Sequence, residues 1–308
     1  MSARAAGPDG VLLVDKPEKL TSHDVVDVTR RLLGTRRIGH TGTLDPAATG
    51  LLVLCVGRAG RLQSFLTGWD KTYEGTIVFG VATDTYDTEG TPAGEPHPDP
   101  APSRARLEEA CRAFTGEILQ VPPPFSAKKI AGRKFYELAR AGEPVPETPK
   151  AVTVRSLDIL DLDGAVARFR VSCTSGTYIR SLAHDIGKAL GTGAHLGSLR
   201  RISIGPFRLE EARTLLVLEA LAPEERFGKP SWLTLSEIPL PFPAVALAPA
   251  EAAKVRSGHG VPVRVPEGAG GSSMVRLTES GELLALGTLE PLGRGALALA
   301  RPKVVLAG

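Results

Sequence analysis

The chain has 308 residues, enough for one large domain or two unequal ones. With 42% hydrophobic and 23% charged residues it reads as an ordinary globular protein, not a disordered chain, a collagen or a coiled coil. Its net charge of +3, from 37 basic and 34 acidic residues, points to no partner by itself. Gly10–Pro17 is an apolar run stopped by proline and predicts a buried strand. Thr21 or Ser22 can cap a helix running to Leu33, with Val25, Val28 and Leu32 as its apolar face and Gly34 as its stop. Residues 38–50, rich in Gly and Thr and without a period, read as a loop, and Leu51–Val56 reads as a second buried strand. Glu74–Gly80 alternates like a third strand. Residues 89–102 hold five prolines and predict an irregular surface loop. Ser103 can cap a helix through Phe114. Pro122–Pro124 breaks the chain before a basic stretch, Ser126–Arg140, whose second half reads as helical. Val152–Asp161 and Ala165–Cys173 form a hairpin turning at Asp163-Gly164. Thr177–Leu190 is an amphipathic helix stopped by Gly191.

Beyond about residue 240 the texture changes. Val261–Val265, Met274–Thr278, Leu283–Gly287, Ala296–Ala300 and Val304–Leu306 are short β-like runs between Gly and Pro turns, the spacing of a small barrel or sandwich. A boundary is expected near Pro239–Pro243. The fold class is mixed α/β (α+β), followed by a compact β module.

No run reaches the roughly 18–20 apolar residues of a membrane span, and the N-terminal residues lack the apolar core of a signal peptide. A cytoplasmic chain is expected. Cys55, Cys111 and Cys173 lie far apart without a C-x-x-C pair, so they read as structural thiols, and no metal site is indicated. The bases cluster at Arg30, Arg31, Arg36 and Arg37, at Lys128, Lys129, Arg133 and Lys134, and at Arg200 and Arg201. Such clusters form either phosphate footprints or solvated helix faces.

The most unusual segment runs from Arg37 through His40, Asp45 and Pro46 to Gly50. By itself Asp45-Pro46 in a Gly-rich loop starts a turn. Its setting argues for more, because one carboxylate sits in a loop between two buried apolar segments with a histidine five residues before it. The stretch resembles the signature of the tRNA pseudouridine synthase B family, matching G-H-x-G-x-L-D-P-x-A-T-G at every fixed place. Further family stretches follow in order: Asp15-Lys16-Pro17 with Thr21-Ser22, Asp70-Lys71-Thr72-Tyr73, Thr83-Asp84-Thr85, Pro122-Pro123 leading to Ser126-Ala127 and Gly132, then Tyr136 and Ala139-Arg140. Gly176-Thr177-Tyr178-Ile179-Arg180 and Gly193-Ala194-His195-Leu196, running into Leu199-Arg200-Arg201, complete the set. The resemblance spans nearly all of residues 10–240 and is weaker beyond. Lys19 departs from a usual Gly, Gly60-Arg61 from a usual Thr-Lys, and Ser175 from a frequent Lys.

The resemblance implies a pseudouridine synthase fold, with a mixed, largely antiparallel central sheet flanked by helices. It places the catalytic domain at 1–240, with an RNA-clasping insertion at about 122–151, and a PUA-like RNA-binding β-barrel at 241–308. The implied activity is isomerisation of uridine-55 in the T-arm of tRNA, with base flipping and no cofactor. Asp45 is implied as the catalytic carboxylate, acting at C1′, at C6 or in elimination to a glycal. Arg180 is implied as its cation, although alone it reads as a surface residue of an amphipathic helix. Tyr73 is implied to stack on the target base and take part in proton transfer; alone it reads as core packing. Tyr178 and Leu199 line the implied uracil pocket, and His40 fills the space the base leaves. RNA contacts are expected from Lys16, Arg61, Lys128, Lys129, Arg133, Lys134, Arg200 and Arg201. The implied partner is tRNA, with no membrane and no obligate protein partner, and the chain is expected to be monomeric. Two competitors are a non-catalytic tRNA-binding or folding protein, against which the presence of Asp45 argues, and a hydrolytic base-removing enzyme. The latter needs a second carboxylate, for which Asp84 is the nearest candidate, yet its Thr-Asp-Thr context reads as a turn.

Overall fold

The computed structural model describes residues 8–125, 129–130, 133–134, 148–267, 269, 273–293 and 296–307. Strand β1 (Gly10–Lys16) is buried along its apolar residues and pairs antiparallel with β3 (Thr49–Val56). Between them lies α1 (Ser22–Leu33). Thr21, not Ser22, caps it: the Thr21 hydroxyl accepts from the Asp24 amide, and the Asp24 carboxylate accepts from the Thr21 amide. Gly34 closes the helix at φ 63°. The expected loop over residues 38–50 contains a short strand, β2 (Ile38–His40), paired with β3.

Further along come α2 (Gln63–Thr67), β4 (Lys71–Phe79), α3 (Arg104–Ala113) and β5 (Gly116–Gln120). The third strand therefore starts earlier than expected and includes Tyr73. Of the basic stretch, β6 (Lys129–Ile130) and β7 (Arg133–Lys134) pair as a two-strand ladder. Lys128 and most of the helix expected there lie outside the described residues. The predicted hairpin is present as β8 (Lys150–Asp163) and β9 (Val166–Cys173), and the amphipathic helix as α4 (Ile179–Leu190). Strand β10 (Ala194–Ile204) was not expected and proves central: it joins β3 on one side, parallel, and β4 on the other, antiparallel. Then follow β11 (Phe207–Arg208), β12 (Arg213–Thr214), α5 (Leu215–Ala220) and β13 (Trp232–Thr234).

The main sheet runs β12-β1-β3-β10-β4-β9-β8-β5, mostly antiparallel, with β2, β11 and β13 attached at its sides. Helices α3 and α4 cover β4, β8 and β9 through Leu107, Cys111, Ile179, Leu182 and Ile186. Helix α1 covers β1 and β3 through Val25 and Val26.

The C-terminal residues form a second sheet, ordered β14-β16-β17-β18-β15, from β14 (Ala244–Ala246), β15 (Val261–Arg264), β16 (Met274–Glu279), β17 (Glu282–Pro291) and β18 (Leu297–Val305). The two last runs expected as separate strands are one strand, β18. A helix that was not expected, α6 (Pro249–Arg256), packs on this sheet through Ala252 and Val255. Leu283, Leu286 and Leu306 share a core with Leu62, Leu66, Ile204 and Phe207, so the two sheets are joined by continuous apolar contact. The three cysteines are buried free thiols, and burial pushes Cys55 up to about 12, which keeps it unreactive. No helix among the described residues is long and apolar enough to cross a membrane.

Lys19 lies in the left-handed region at φ 70°, where its amide donates to the Pro46 carbonyl at 2.9 Å. This accounts for the usual glycine at that place. A left-handed residue with a Cβ costs about 1–2 kcal/mol, part of which glycine returns through its freer unfolded chain. Lys19→Gly should therefore raise unfolding free energy by about 0.5–1 kcal/mol, read by denaturant titration, and a decrease would contradict the strain.

Candidate active site

The segment from Thr41 to Ala48 has no regular structure, so its polar backbone needs partners from elsewhere. Each carbonyl from Gly42 to Pro46 has a partner, and all but that of Asp45 find it outside the segment. Arg201 donates to Gly42 at 3.0 Å and Thr43 at 3.4 Å. The Ser22 hydroxyl donates to Leu44 at 3.2 Å and accepts from the Leu44 amide at 2.8 Å. The Ala48 amide donates to Asp45, and the Lys19 amide and Lys16 ammonium both donate to Pro46. With its backbone fixed from β1, α1 and β10, the loop holds the Asp45 side chain at a cleft of about 260 Å³.

Lys16 and Arg201, expected as RNA contacts, are both wholly buried, and Arg201 lines the cleft. The Lys16 ammonium also serves Pro17 at 2.9 Å and Leu20 at 2.6 Å, and Arg201 also serves Leu51 at 2.7 Å. Burial brings Lys16 down to about 8, which leaves it charged at neutral pH. Both are struts of the loop.

Asp45 faces Arg180, whose Nε lies 3.0 Å from Oδ2. Arg180 sits in the first turn of α4, and its side chain is only 9% exposed. A buried guanidinium needs acceptors for its protons. It donates to the Thr85 and Phe125 carbonyls, each at 3.0 Å, and forms a second ion pair with the Asp87 carboxylate at 3.2 Å. Asp87 was missed by the sequence reading, which weighed only Asp84. The Asp84 carboxylate accepts from the Thr91 amide at 2.8 Å, a turn contact as its context indicated, and it does not line the cleft. Asp87 lies three residues beyond Asp84, in the same turn.

Tyr73, Tyr178 and Leu199 line the same cleft as Asp45 and Arg180. Tyr73 is on β4, opposite Arg201 of β10, with the guanidinium 6.0 Å from the ring centroid. Burial raises the Tyr73 phenol above its ordinary range, so it is protonated at neutral pH. Tyr178 is fixed by a second residue the sequence reading missed. The buried Gln120 amide donates to the Tyr178 carbonyl at 2.9 Å and accepts from its amide at 2.7 Å. Lys71, also lining the cleft, donates to the Thr67 and Trp69 carbonyls, and burial lowers it to about 8.

His40 does not line the cleft; it ends β2 just before it, and the Gly42 amide donates to its Nδ1 at 3.4 Å. Burial, then Arg201, lowers its pKa, so the ring is neutral at neutral pH. Arg200 pairs bidentately with Asp15 at 2.7 and 3.1 Å while staying partly exposed. Exposed Arg61 donates to the Val305 carbonyl of the C-terminal sheet. Lys129, Arg133 and Lys134 are described only through their β6–β7 backbone pairing.

Residues 30–179 match the model of the TruB family pseudouridylate synthase N-terminal domain, and residues 180–241 match that of the tRNA pseudouridylate synthase B C-terminal domain. The chain is 46% identical over 281 residues to the tRNA pseudouridine synthase B of Solibacter usitatus, covering 91% of this chain and 95% of that one. It is 44% identical over 299 residues to the protein of the same name from Dechloromonas aromatica, covering 97% and 96%. Among solved structures it resembles a chain of the archaeal box H/ACA ribonucleoprotein Nop10–Cbf5 complex, with TM-score 0.70 and 25% identity over 96% of this chain and 86% of that one.

Replacing Lys16 by Met keeps the stem and removes the donor to three carbonyls. The loss is expected to be about 1–3 kcal/mol of unfolding free energy, the cost of unsatisfied buried acceptors. A change below about 0.5 kcal/mol, typical of exposed sites, would contradict the strut role.

Proposed function

The chain belongs to the TruB family of tRNA pseudouridine synthases, which are isomerases, and on that premise we propose that it converts uridine-55 in the T-arm of tRNA to pseudouridine. The observation that carries this reading is the Asp45–Arg180 ion pair at a cleft shared with Tyr73, Tyr178 and Leu199. In the reaction the C1′–N1 bond breaks, the uracil turns, and C1′ bonds to C5. The C5 proton leaves to water and N1 ends protonated, so the sum is an isomerisation without redox change or hydrolysis. A carboxylate beside the nucleoside serves as nucleophile or stabilises developing positive charge on the sugar. Asp45 has that role in this proposal. Arg180 takes its Oδ2, and Oδ1 has no protein partner among the described residues.

A uridine inside a folded loop must be extruded before it can react. The neutral His40 ring, at the edge of the cleft, is suited to fill the space left behind. The Tyr73 ring is suited to stack on the extruded base, and its protonated hydroxyl is available as a hydrogen-bond donor. Backbone contacts come in this account from Arg61 and Arg200 and from Lys128, Lys129, Arg133 and Lys134 of an RNA-clasping insertion at about 122–151. The catalytic domain is 1–240. Residues 241–308 form a PUA-like RNA-binding module, which the C-terminal five-stranded sheet supports. The chain acts as a monomer.

The test is incubation with unmodified tRNA tritiated at C5 of its uridines, with mapping of the product. The native protein should release about one equivalent of tritium, at position 55, and Asp45→Asn should release none while still binding tRNA. Full release by Asp45→Asn, or modification elsewhere, would contradict the proposal.

A further inference from the structure

Helix α4 offers the Thr85–Asp87 turn a second contact besides Arg180. Residues 180 and 184 are one helical turn apart and share a face. Arg180 binds the Thr85 carbonyl and the Asp87 carboxylate. Between those residues lies Tyr86, whose ring stacks on the His184 imidazole with centroids 3.8 Å apart and planes 14° from parallel. Three consecutive residues thus dock on one helix face, two on a guanidinium and one on an imidazole.

The backbone at Tyr86 has φ 65°, a left-handed conformation that glycine adopts freely and a residue with a Cβ does not. A tyrosine at such a place is explained by what its ring touches. The surrounding turn is tightly tied. The Leu196 amide donates to the Tyr86 carbonyl at 2.9 Å, and the Thr83 hydroxyl donates to the Asp87 carbonyl at 2.7 Å. Asp87 Oδ1 accepts from the Thr85 hydroxyl at 2.5 Å and the Glu89 amide at 3.1 Å, leaving Oδ2 for Arg180. On the helix side, His184 Nδ1 is buried with no hydrogen-bond partner among the described residues, so the ring contributes its face there and not that nitrogen. Burial, then Lys188, lowers its pKa and keeps the ring neutral.

We infer that the Tyr86–His184 stack is a positioning device for Arg180. It fixes the turn whose carbonyl and carboxylate set the guanidinium beside Asp45. Neither ring lines the cleft, so both act through Arg180. The inference rests on reading Asp45 and Arg180 as the reacting centre's ion pair. A stack that served only the fold would move stability and leave the rate alone.

The experiment measures single-turnover tritium release from C5-tritiated tRNA, tRNA Kd and the unfolding midpoint for each variant. Tyr86→Gly removes the ring and relaxes the backbone. Its rate should fall about tenfold, the scale of one aromatic pair, with Kd within about twofold and the midpoint held. His184→Ala should fall similarly, and His184→Phe, which restores a stacking face, should return to within about twofold of native. The Tyr86→Gly/His184→Ala double variant should fall no further than either alone. A native rate in Tyr86→Gly, no recovery in His184→Phe, or losses that multiply in the double variant would overturn the inference. No release by the native protein would overturn the functional reading and this inference with it. Native release beside full-rate variants would overturn this inference alone.

Discussion

The guanidinium of Arg180 is the contact on which the site depends. It is a charge almost removed from water, and it is held there from three segments by two hydrogen bonds, to the Thr85 and Phe125 carbonyls, and two ion pairs, with Asp45 and Asp87. A buried charge without such partners would cost several kcal/mol, so the three segments and the helix are bound to one geometry. The Phe125 carbonyl belongs to the chain just before the basic stretch, and Ser181 fixes the Val121 carbonyl beside it at 2.8 Å. The root of that stretch is therefore anchored on the same helix turn as the ion-pair partner of Asp45.

A second constraint is the backbone of the Asp45 loop. A loop that lets one carboxylate face a cleft cannot also satisfy its own carbonyls by helix or sheet. Arg201 and Lys16 meet that need from inside the sheet, as Ser22 does from the start of α1. The consequence is a division of labour among cations. Those within the sheet hold the loop, Arg180 holds the carboxylate, and the partly exposed Arg200 and the exposed Arg61 remain at the surface.

Elements with a clean period and cap were legible in the sequence: β1, α1 with its stop at Gly34, and the β8–β9 hairpin. Strand β10 was not, because register shifts after Leu196 and after Arg201 break its alternation. The fully buried Arg201 also lacks the apolar character expected of a central strand. Asp45 and its loop stood out through the family resemblance, and so did Arg180. Asp87 and Gln120 did not, because spacing along the chain cannot tell which turn will meet which helix. The burial of Lys16 and Arg201 was not legible for a related reason. A sequence counts a cation but does not say whether carbonyls or solvent will surround it.

In the proposed reaction Arg180 acts through the geometry of its guanidinium and not through its charge alone. Lysine at that position would keep the charge but lose the planar fork that serves several acceptors at once. The direct measurement is the single-turnover tritium-release rate of Arg180→Lys, with tRNA Kd determined in parallel. A fall of about 100-fold or more is expected, with Kd within about threefold of native, the scale seen when a preorganised polar contact is lost. A rate close to native would contradict it, since a point charge would then be sufficient beside Asp45.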